Sequence, residues 1–355
     1  MFLPTALITW LIAGLEKQYR YLLVLLTCFL FFGIATRSRK STPDTDNYID
    51  FINFGSSNGG LHDAEYLASK VFEFYSTYLS GELFIFSSTL VPYVLLIHII
   101  DGGKRSAAYF FPILYISTLY GFDLMTNAVR QNIALVFALW ILLLNRSHLT
   151  KLAILSILAI FHKSILITLF LWIISRKSWP ILASMALASG GIIIFISMLS
   201  KKFMFSVFLL ITDLLTIIIP EVASSPLQKL IIISSLQKEM FTGFAHYFVF
   251  IGIIILSVLL YYSSRVAANT WTNSVKIIYS MSCYGVFLIS FTSHLIIFYR
   301  FFYVIYPLMI YVIYISFRYF HFKIKIISVL LCIISLITVL TRRSMSEFAL
   351  YAFYS

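Results

Sequence analysis

The chain has 355 residues, of which 61% are hydrophobic and only 11% are charged, and its mean hydropathy is +0.95. A soluble domain of this size cannot hide so much apolar surface, because a large part of any folded surface meets water. These values exclude a soluble enzyme or binding domain. They predict an all-α polytopic membrane protein, since helices satisfy their own backbone hydrogen bonds inside a bilayer.

About twelve apolar stretches approach the length of a transmembrane helix, which is about 20 residues. In chain order they cover 2–15, 20–36, 82–100, 106–122, 128–144, 150–161, 164–175, 179–199, 243–262, 276–297, 300–317 and 324–341. The first stretch lacks a basic n-region and a small-residue cleavage site, so we expect a retained helix rather than a signal peptide. We predict that residues 1–355 form a single integral membrane domain.

Two longer hydrophilic or mixed segments, 37–81 and 200–242, separate groups of these helices. We predict that both are loops on the same side of the membrane. The second contains an apolar stretch, 203–219, which Asp213 interrupts. This stretch is either a further crossing or a helix lying at the membrane interface.

The distribution of charge predicts the orientation of the helices. The connections opposite the two long loops hold 13 of the 26 Lys and Arg residues and two of the 14 acids. Basic residues concentrate in the short loops of the cytoplasmic side. The two long loops therefore face outward. The net charge of +12 is mostly an orientation signal, and it does not indicate a nucleic-acid partner.

Three cations break this rule, because they lie in short outward connections beside hydrophobic spans: Arg130, Lys163 and Arg300. Gln131 and His162 are their neighbours. Each cation alone is equally well explained as an anchor to lipid headgroups. Together they favour a site for a lipid diphosphate, because guanidinium groups bind phosphate oxygens in a bidentate manner. Arg130 also begins a helix, whose free amides attract anions, and fixed cations stabilise a departing diphosphate.

The first outward loop offers groups that bind sugars and accept a proton from a hydroxyl. They are Arg37, Asp44, Asp46, Asn47, Tyr48, Asp50, His62, Asp63 and Glu65. Asp44-Thr-Asp46 matches the D-x-D pattern of metal-dependent sugar transferases, although three residues often match by chance. That pattern uses Mg²⁺ or Mn²⁺ to bind a nucleotide diphosphate, which is not expected outside the cell. We therefore predict no metal; the alternative is a solvated linker whose acids provide solubility.

His162 is either a polar residue that closes a helical hairpin or a functional group. Lys163 beside it keeps the imidazole neutral, as a base or a hydrogen-bond donor requires. The predicted base is His162 or a loop acid, Asp46 before Asp44. No motif of serine hydrolases, zinc proteases or nucleotide-binding proteins occurs in the sequence. The cysteines have no metal or disulfide spacing and are predicted to be small buried residues: Cys28, Cys283 and Cys332.

Five segments carry a resemblance to a known family. They are E-K-Q-Y-R between the first two helices, R-x-R followed by D-T-D-N-Y, F-D-L-M-T-N-A-V-R-Q-N-I-A, I-F-H-K-S-I-L-I and H-L-I-I-F-Y-R-F-F. In these segments, and in the pattern of helices over most of its length, the chain resembles the EpsG/Wzy group of bacterial polysaccharide polymerases. It departs at Pro43, where the family often has glycine.

The resemblance implies an O-antigen or exopolysaccharide polymerase of lipopolysaccharide biosynthesis, multi-pass in the bacterial inner membrane, with its site facing the periplasm. Such glycosyltransferases have GT-C-like helical folds, take undecaprenyl-diphosphate-linked oligosaccharides as donor and acceptor, and need no cofactor. A Wzz-type chain-length regulator is the expected protein partner, in addition to membrane lipids. Arg130 and Arg300 are then expected to bind the diphosphate with support from Gln131 and Lys163. The remaining expected substrate contacts are Arg37, Tyr48 and Glu65.

Two other functions fit the composition. A transporter, such as a flippase for lipid-linked repeat units, predicts charges near the bilayer midplane and internal repeats. The sequence shows no repeat, and its polar residues concentrate towards one face. An O-antigen ligase or another outward-facing transferase, such as an acyltransferase, shares the need for arginines. The R-Q-x-I-A and F-H-K-S motifs favour the polymerase.

Overall fold

The computed structural model describes residues 20–37, 43–55, 65–100, 110–116, 118–176, 180–199, 244–291 and 298–321. In these ranges the chain is helical and has no strand, which confirms the all-α class for the described part. The α-helices are α1 (Arg20–Ala35), α2 (Pro43–Phe54), α3 (Tyr66–Tyr78), α4 (Gly81–Ile99), α5 (Phe110–Ile116), α6 (Leu119–Thr126), α7 (Val129–Leu143), α8 (His148–Phe161), α9 (Ser164–Ser175), α10 (Pro180–Leu199), α11 (Phe244–Ala267), α12 (Asn273–Ser290) and α13 (Phe298–Ser316). Single 3₁₀ turns follow α11 and α13, at Ala268–Thr270 and Phe317–Tyr319.

The segment 37–81, which is predicted to be an outward-facing loop, is helical over much of its described part. It contains α2 and α3, because polar residues there alternate with apolar ones at helical spacing and bury one face of each helix. Pro43 starts α2 at a position where its missing N–H costs nothing. The predicted stretches 2–15, 203–219 and 324–341 lie outside the described residues.

The predicted helix 106–122 is divided into α5 and α6. Thr118 has an extended backbone, and its hydroxyl accepts the N–H of Gly121, which starts a new helix. Gly121 is required there, because a Cβ at this position would overlap the carbonyl oxygen of Tyr115. The two short helices therefore pack against each other more closely than any larger residue permits.

Two helical stretches of the described part are long and apolar enough to cross a membrane, Gly81–Ile99 and Phe250–Thr270. The pair α6 and α7 makes a third if the two are taken as one span broken by a bend of 115°. The apolar helices α8 and α9 have 14 and 12 residues. At 1.5 Å per residue they reach about 21 and 18 Å, less than the roughly 30 Å of a hydrocarbon core. The described part of the chain thus holds two or three helical spans long and apolar enough to cross a membrane.

Large apolar side chains are exposed on the outer faces of the helices. Leu149 on α8 is 77% exposed, and Ile181 on α10 is 73% exposed. Leu166 and Phe170 on α9 and Met185 on α10 are also more than half exposed. Contiguous apolar patches of this kind are rare on soluble monomers. They are compatible with helices that meet lipid.

The core lies where α12 and α13 pack against α7, α9 and α10. Gly285 on α12 has Ile305 of α13 against its backbone, so only a residue without a side chain fits. Small residues let membrane helices approach closely in this way. Cys283 is fully buried, as predicted. The prediction was wrong for Cys28, which is exposed on α1, because an apolar run in such a protein packs on lipid as well as on protein. Cys332 lies outside the described residues.

Candidate functional site

Four segments that are distant in the sequence meet at the start of α7. They are α2, the beginning of α3, the first turn of α7 and the tight turn between α8 and α9. The side chains that meet there are Tyr48, Glu65, Phe72, Arg130 and His162, together called the Arg130 cluster below. The fold therefore joins the first outward segment to two of the three outward connections that carry predicted site cations.

Arg130 is held on two sides of its guanidinium group. Its Nη1 donates to Oε2 of Glu65 at 3.0 Å, and its Nε donates to the hydroxyl oxygen of Tyr48 at 3.2 Å. Its Cζ lies 5.7 Å from the ring centre of Phe72 and 5.9 Å from that of Tyr48, within the range of a cation–π contact. Its Nη2 makes no hydrogen bond to a described residue. The group is therefore fixed in orientation and keeps donors for one more acceptor.

The Arg130 cluster rests on a small apolar core of its own. The buried residues of that core are Tyr48, Ile49, Ile52, Phe72, Phe84, Ile85 and Val129. The rings of Tyr48, Phe72 and Phe84 lie 5.3 to 5.8 Å apart in tilted or edge-to-face arrangements. Asn53 joins α2 to the start of α4, because its Oδ1 accepts the N–H of Gly81 at 2.7 Å. This packing holds α2 and α3 against the membrane-length helix α4.

Glu65 connects the arginine to the α8–α9 turn. Its Oε2 accepts from Arg130, and its Oε1 accepts the backbone N–H of Lys163 at 3.2 Å. Burial by itself would raise the pKa of this carboxyl group. Hydrogen bonds from its own N–H and that of Lys163, and the charges of His162 and Arg130, bring the pKa below its ordinary value instead. Glu65 is therefore ionised at neutral pH, and it fixes the position of the arginine.

His162 ends α8 with its ring half-buried. The N–H of Ser164 donates to Nδ1 at 3.2 Å, and the Ser164 hydroxyl lies 2.8 Å from the same nitrogen. Because Nδ1 accepts a backbone N–H, the neutral ring carries its proton on Nε2. Burial lowers the pKa of His162 to about 4, with Glu65 raising it and the charges of Arg130 and Lys163 lowering it further. The ring is thus a neutral donor at physiological pH.

The bend between α6 and α7 leaves the start of α7 without a side-chain cap. The N–H groups of Asn127 and Ala128 both donate to the carbonyl of Asp123, at 2.8 and 3.0 Å, which closes the end of α6. Ala128 has no side chain that could cap the first turn of α7. Free amides at the start of a helix attract negative charge. The backbone and the arginine of this turn therefore favour the same kind of ligand.

Arg37 is buried where α1, α2, α4 and α6 meet. It is only 6% exposed, and its guanidinium donates to the hydroxyls of Thr45 at 2.9 Å and Thr89 at 3.2 Å. It also donates to the carbonyls of Ile34 at 2.9 Å and Thr126 at 3.2 Å. These bonds tie α1, α2 and α4 to the last turn of α6, where a cation suits the helix dipole. This geometry favours a positioning role over direct substrate binding.

The other predicted residues occupy varied positions. Gln131 is buried on α7 beside the arginine. Lys163 contributes its backbone N–H to Glu65, while its side chain is exposed. Asp46 is half-buried on α2. Asp44 lies in the first turn of α2, and Arg300 lies in the first turn of α13. The loop residues His62 and Asp63 lie outside the described residues.

The sequence analysis missed Asp123 and Tyr303, which join α13 to the bend. The carboxylate of Asp123 is 5% exposed and accepts hydrogen bonds from the Asn127 amide and the Tyr303 hydroxyl. Arg300 precedes Tyr303 by one helical turn, so α13 brings its first turn towards the same region. An acid inside an apolar helix is a signal that sequence analysis can use. No such signal in the sequence points to Phe72, whose ring makes a cation–π contact with Arg130.

Comparison with known proteins adds no family assignment. No protein-family model, no curated protein and no solved structure matches this chain. Among the described residues, no group of three or more His, Cys, Asp or Glu side chains lies together as a metal site requires. The function is therefore inferred from the residues and their geometry.

Proposed function

We propose that this protein is a membrane glycosyltransferase of the O-antigen or exopolysaccharide polymerase type. It joins undecaprenyl-diphosphate-linked oligosaccharide repeat units on the periplasmic face of the bacterial inner membrane. The observation that carries the proposal is the geometry of Arg130. This arginine is oriented by Glu65 and Tyr48 at the uncapped start of α7, beside a sharp bend.

The Arg130 cluster has the chemistry that a lipid diphosphate requires. Non-helical backbone at a bend within apolar helices is tolerated where it lines a polar site. An arginine whose Nε and Nη1 are already held can present Nη2 to a phosphate oxygen without losing further side-chain freedom. The nearby Nε2–H of His162 is a second candidate donor to such an anion. We propose Gln131, Lys163 and Arg300 as further contacts around the same ligand.

The proposed reaction transfers a glycan from its lipid diphosphate to the next repeat unit. The acceptor hydroxyl oxygen attacks the anomeric carbon of the donor glycan, and the bond between that carbon and the diphosphate oxygen breaks. The diphosphate leaves with the electron pair, and its growing negative charge is stabilised by the fixed cations. The proton of the acceptor hydroxyl passes to a carboxylate base. No redox step or further reactant is needed.

The geometry favours an acid over His162 as that base. The Nδ1 atom of His162 already accepts the N–H of Ser164, and the other nitrogen carries the proton. Asp46 is half-buried on α2, three residues before Ile49 of the small apolar core. We propose Asp46 as the base, with Asp44 as the second candidate.

The proposal also includes the finer architecture. About twelve membrane helices in a GT-C-like arrangement fit the hydropathy of the full sequence, with the shorter apolar helices counted among them. The Arg130 cluster would then lie at the outer end of α7 and α9, near the depth of lipid headgroups. A Wzz-type chain-length regulator would bind from the periplasmic side.

The test replaces Arg130 in living cells. Wild type and Arg130→Ala are expressed at matched membrane levels in the source strain from which this gene has been deleted, and lipopolysaccharide is separated on a gel. We expect a ladder of repeats from wild type and core with a single repeat unit from Arg130→Ala. Arg146→Ala is the matched control, because Arg146 is an exposed arginine in the α7–α8 connection, at the other end of α7.

The other outcomes separate the competing functions. Bare core without a single-unit band in the deletion strain would favour a flippase or a ligase, because export or attachment would then be lost. A normal ladder from Arg130→Ala would leave the arginine as a headgroup anchor and refute the proposed site. Loss of the ladder from Arg146→Ala as well would show that the gel reports on folding rather than on the site.

A further inference from the structure

A second polar feature lies at the opposite end of α9 from the Arg130 cluster. A cavity of about 640 Å³ opens between the end of α9, α10, the end of α11 and the start of α12. Ser164 starts α9 near the cluster and Ser175 ends it at the cavity, so the two features are separated by about 17 Å of helix. This is the side of the protein that the charge distribution predicts to be cytoplasmic.

The cavity is basic. Its lining includes Arg176, Arg265 and Lys276, and no acidic residue is among the residues that line it. None of the three cations forms a salt bridge within the described part of the chain. Arg176 packs over the ring of Trp172 at 5.4 Å, which holds its guanidinium at the rim. Three cations around one cavity repel one another, and a bound anion removes that cost.

Two buried polar groups on the cavity wall have no hydrogen-bond partner among the described residues. The indole N–H of Trp271 and the hydroxyl of Ser175 make no hydrogen bond to a described residue, although the side chains are only 8% and 2% exposed. A buried donor that stays unsatisfied costs about 1–3 kcal/mol. Both residues line the cavity, so a ligand with acceptor oxygens would satisfy them.

The start of α12 adds to the preference for an anion. Thr272 caps this helix by accepting the N–H of Val275, and Lys276 lies in the first turn and lines the cavity. A lysine at a helix N-terminus is disfavoured by the helix dipole, whereas an anion there is favoured. A bound anion would therefore stabilise both the helix terminus and the lysine.

The other wall of the cavity is apolar and open to the outside. Ile181 and Met185 of α10 line it and are 73% and 61% exposed. A volume of this size exceeds what one phosphate group fills and lies in the range of about 300–1,000 Å³ that whole small-molecule ligands occupy. A headgroup with the first carbons of its acyl chains has the matching combination of charge and apolar surface. Basic pockets between membrane helices on the cytoplasmic side bind such lipids.

We propose that this cavity is a binding site for a phosphate-bearing ligand, with the headgroup of an anionic phospholipid as its source. Arg265 and Lys276 bind the phosphate, and Trp271 and Ser175 donate to its oxygens. The site is separate from the proposed transferase centre and does not depend on that function. Its occupancy would stabilise the packing of α9, α10, α11 and α12 from the cytoplasmic side.

The experiment uses the purified full-length chain in a mild detergent after removal of bound lipid. Phosphatidylglycerol or phosphatidylcholine is added back, and retained lipid is counted by native mass spectrometry. We expect the wild type to retain phosphatidylglycerol in preference to phosphatidylcholine. Arg265→Gln/Lys276→Gln should bind it about twenty-five-fold more weakly, since each basic residue near an anionic headgroup contributes roughly a factor of five.

The controls keep the proposal falsifiable. Arg146→Gln removes one exposed cation at a predicted cytoplasmic connection outside the cavity, and it should bind as the wild type does. Trp271→Phe removes only the indole N–H and a small part of the ring, so weaker binding with an unchanged melting temperature supports the site even if the double variant is unstable. If inorganic phosphate displaces phosphatidylglycerol and protects the protein equally well from heat, the ligand is a free anion at the same site. Equal retention of both lipids by wild type without any effect of phosphate, or wild-type binding by the double variant, would overturn the proposal.

Discussion

The Glu65–Arg130 pair makes the strongest quantitative prediction. In Glu65→Gln the new amide oxygen still accepts the N–H of Lys163, so the α8–α9 turn keeps its hydrogen bond. The amide NH₂ then takes the place of Oε2, so Arg130 Nη1, which lies 3.0 Å from that oxygen, loses its acceptor. The two side chains are only 17% and 14% exposed, so water screens the interaction weakly. The substitution therefore isolates one charge-assisted hydrogen bond.

The magnitude follows from the type of bond. A hydrogen bond that involves a charged group contributes about 1.5–3 kcal/mol. We expect Glu65→Gln to lower the free energy of unfolding by about 1.5–3 kcal/mol, because the bond from Arg130 is lost completely. Glu65→Ala should cost more, because it also removes the acceptor of the Lys163 N–H.

The assay is a double-mutant cycle on the free energy of unfolding, measured by titration with SDS in mixed micelles. In an Arg130→Gln background, Glu65→Gln should have almost no further effect, because the interaction is already absent. Glu73→Gln is the matched control: its partner Lys70 is 2.6 Å away, but the two side chains are 63% and 54% exposed, and no measurable change is expected. Additive losses from the Glu65 and Arg130 substitutions would refute the reasoning, because the two residues would then not act as a pair.

Three further outcomes follow from the same structure. Arg37→Lys should reduce the amount of folded protein, because one ammonium cannot reach four acceptors spread over four segments; fluorescence-detected size exclusion measures this. Gly121→Ala should prevent folding, since its Cβ would overlap the Tyr115 carbonyl, whereas Gly191→Ala, with open space around it, should be tolerated. The free energy of unfolding should fall as the pH drops from 6.5 towards 4. In this range the unfolded chain binds a proton at His162, whereas the folded chain does not, because the pKa of the imidazole is lower there. His162→Gln should weaken this fall.

Each of these three predictions has an outcome that would contradict it. If the Arg37→Lys protein folds well but no longer supports growth of the polysaccharide chain, Arg37 binds substrate directly. A stable Gly121→Ala protein would mean that α5 and α6 pack less closely than described. An identical pH dependence in wild type and His162→Gln would mean that the imidazole titrates alike in the folded and unfolded chains.

Part of the site was visible in the sequence because it breaks a pattern. Arg130 and Lys163 stand out as cations in outward connections of an apolar chain, and their neighbourhood in space follows from the helical hairpins that carry them. Glu65 and Tyr48 were candidates only as members of a polar segment. Nothing in their spacing shows that one would hold Nη1 and the other Nε of the same arginine. Substrate contacts by these residues remain predictions.

The all-helical class was determined by composition alone, since an apolar chain in lipid must pair its backbone within each helix. Most helix boundaries also followed from apolar runs, because a run ends where charge must reach water. The division of 106–122 into two helices depended on one close contact at Gly121, and helices α2 and α3 formed because they bury a face against α4. Contacts between distant segments set such features. Only the tertiary structure therefore decided that Arg37 is buried, that Glu65 binds Arg130, and that Trp271 and Ser175 line a basic cavity.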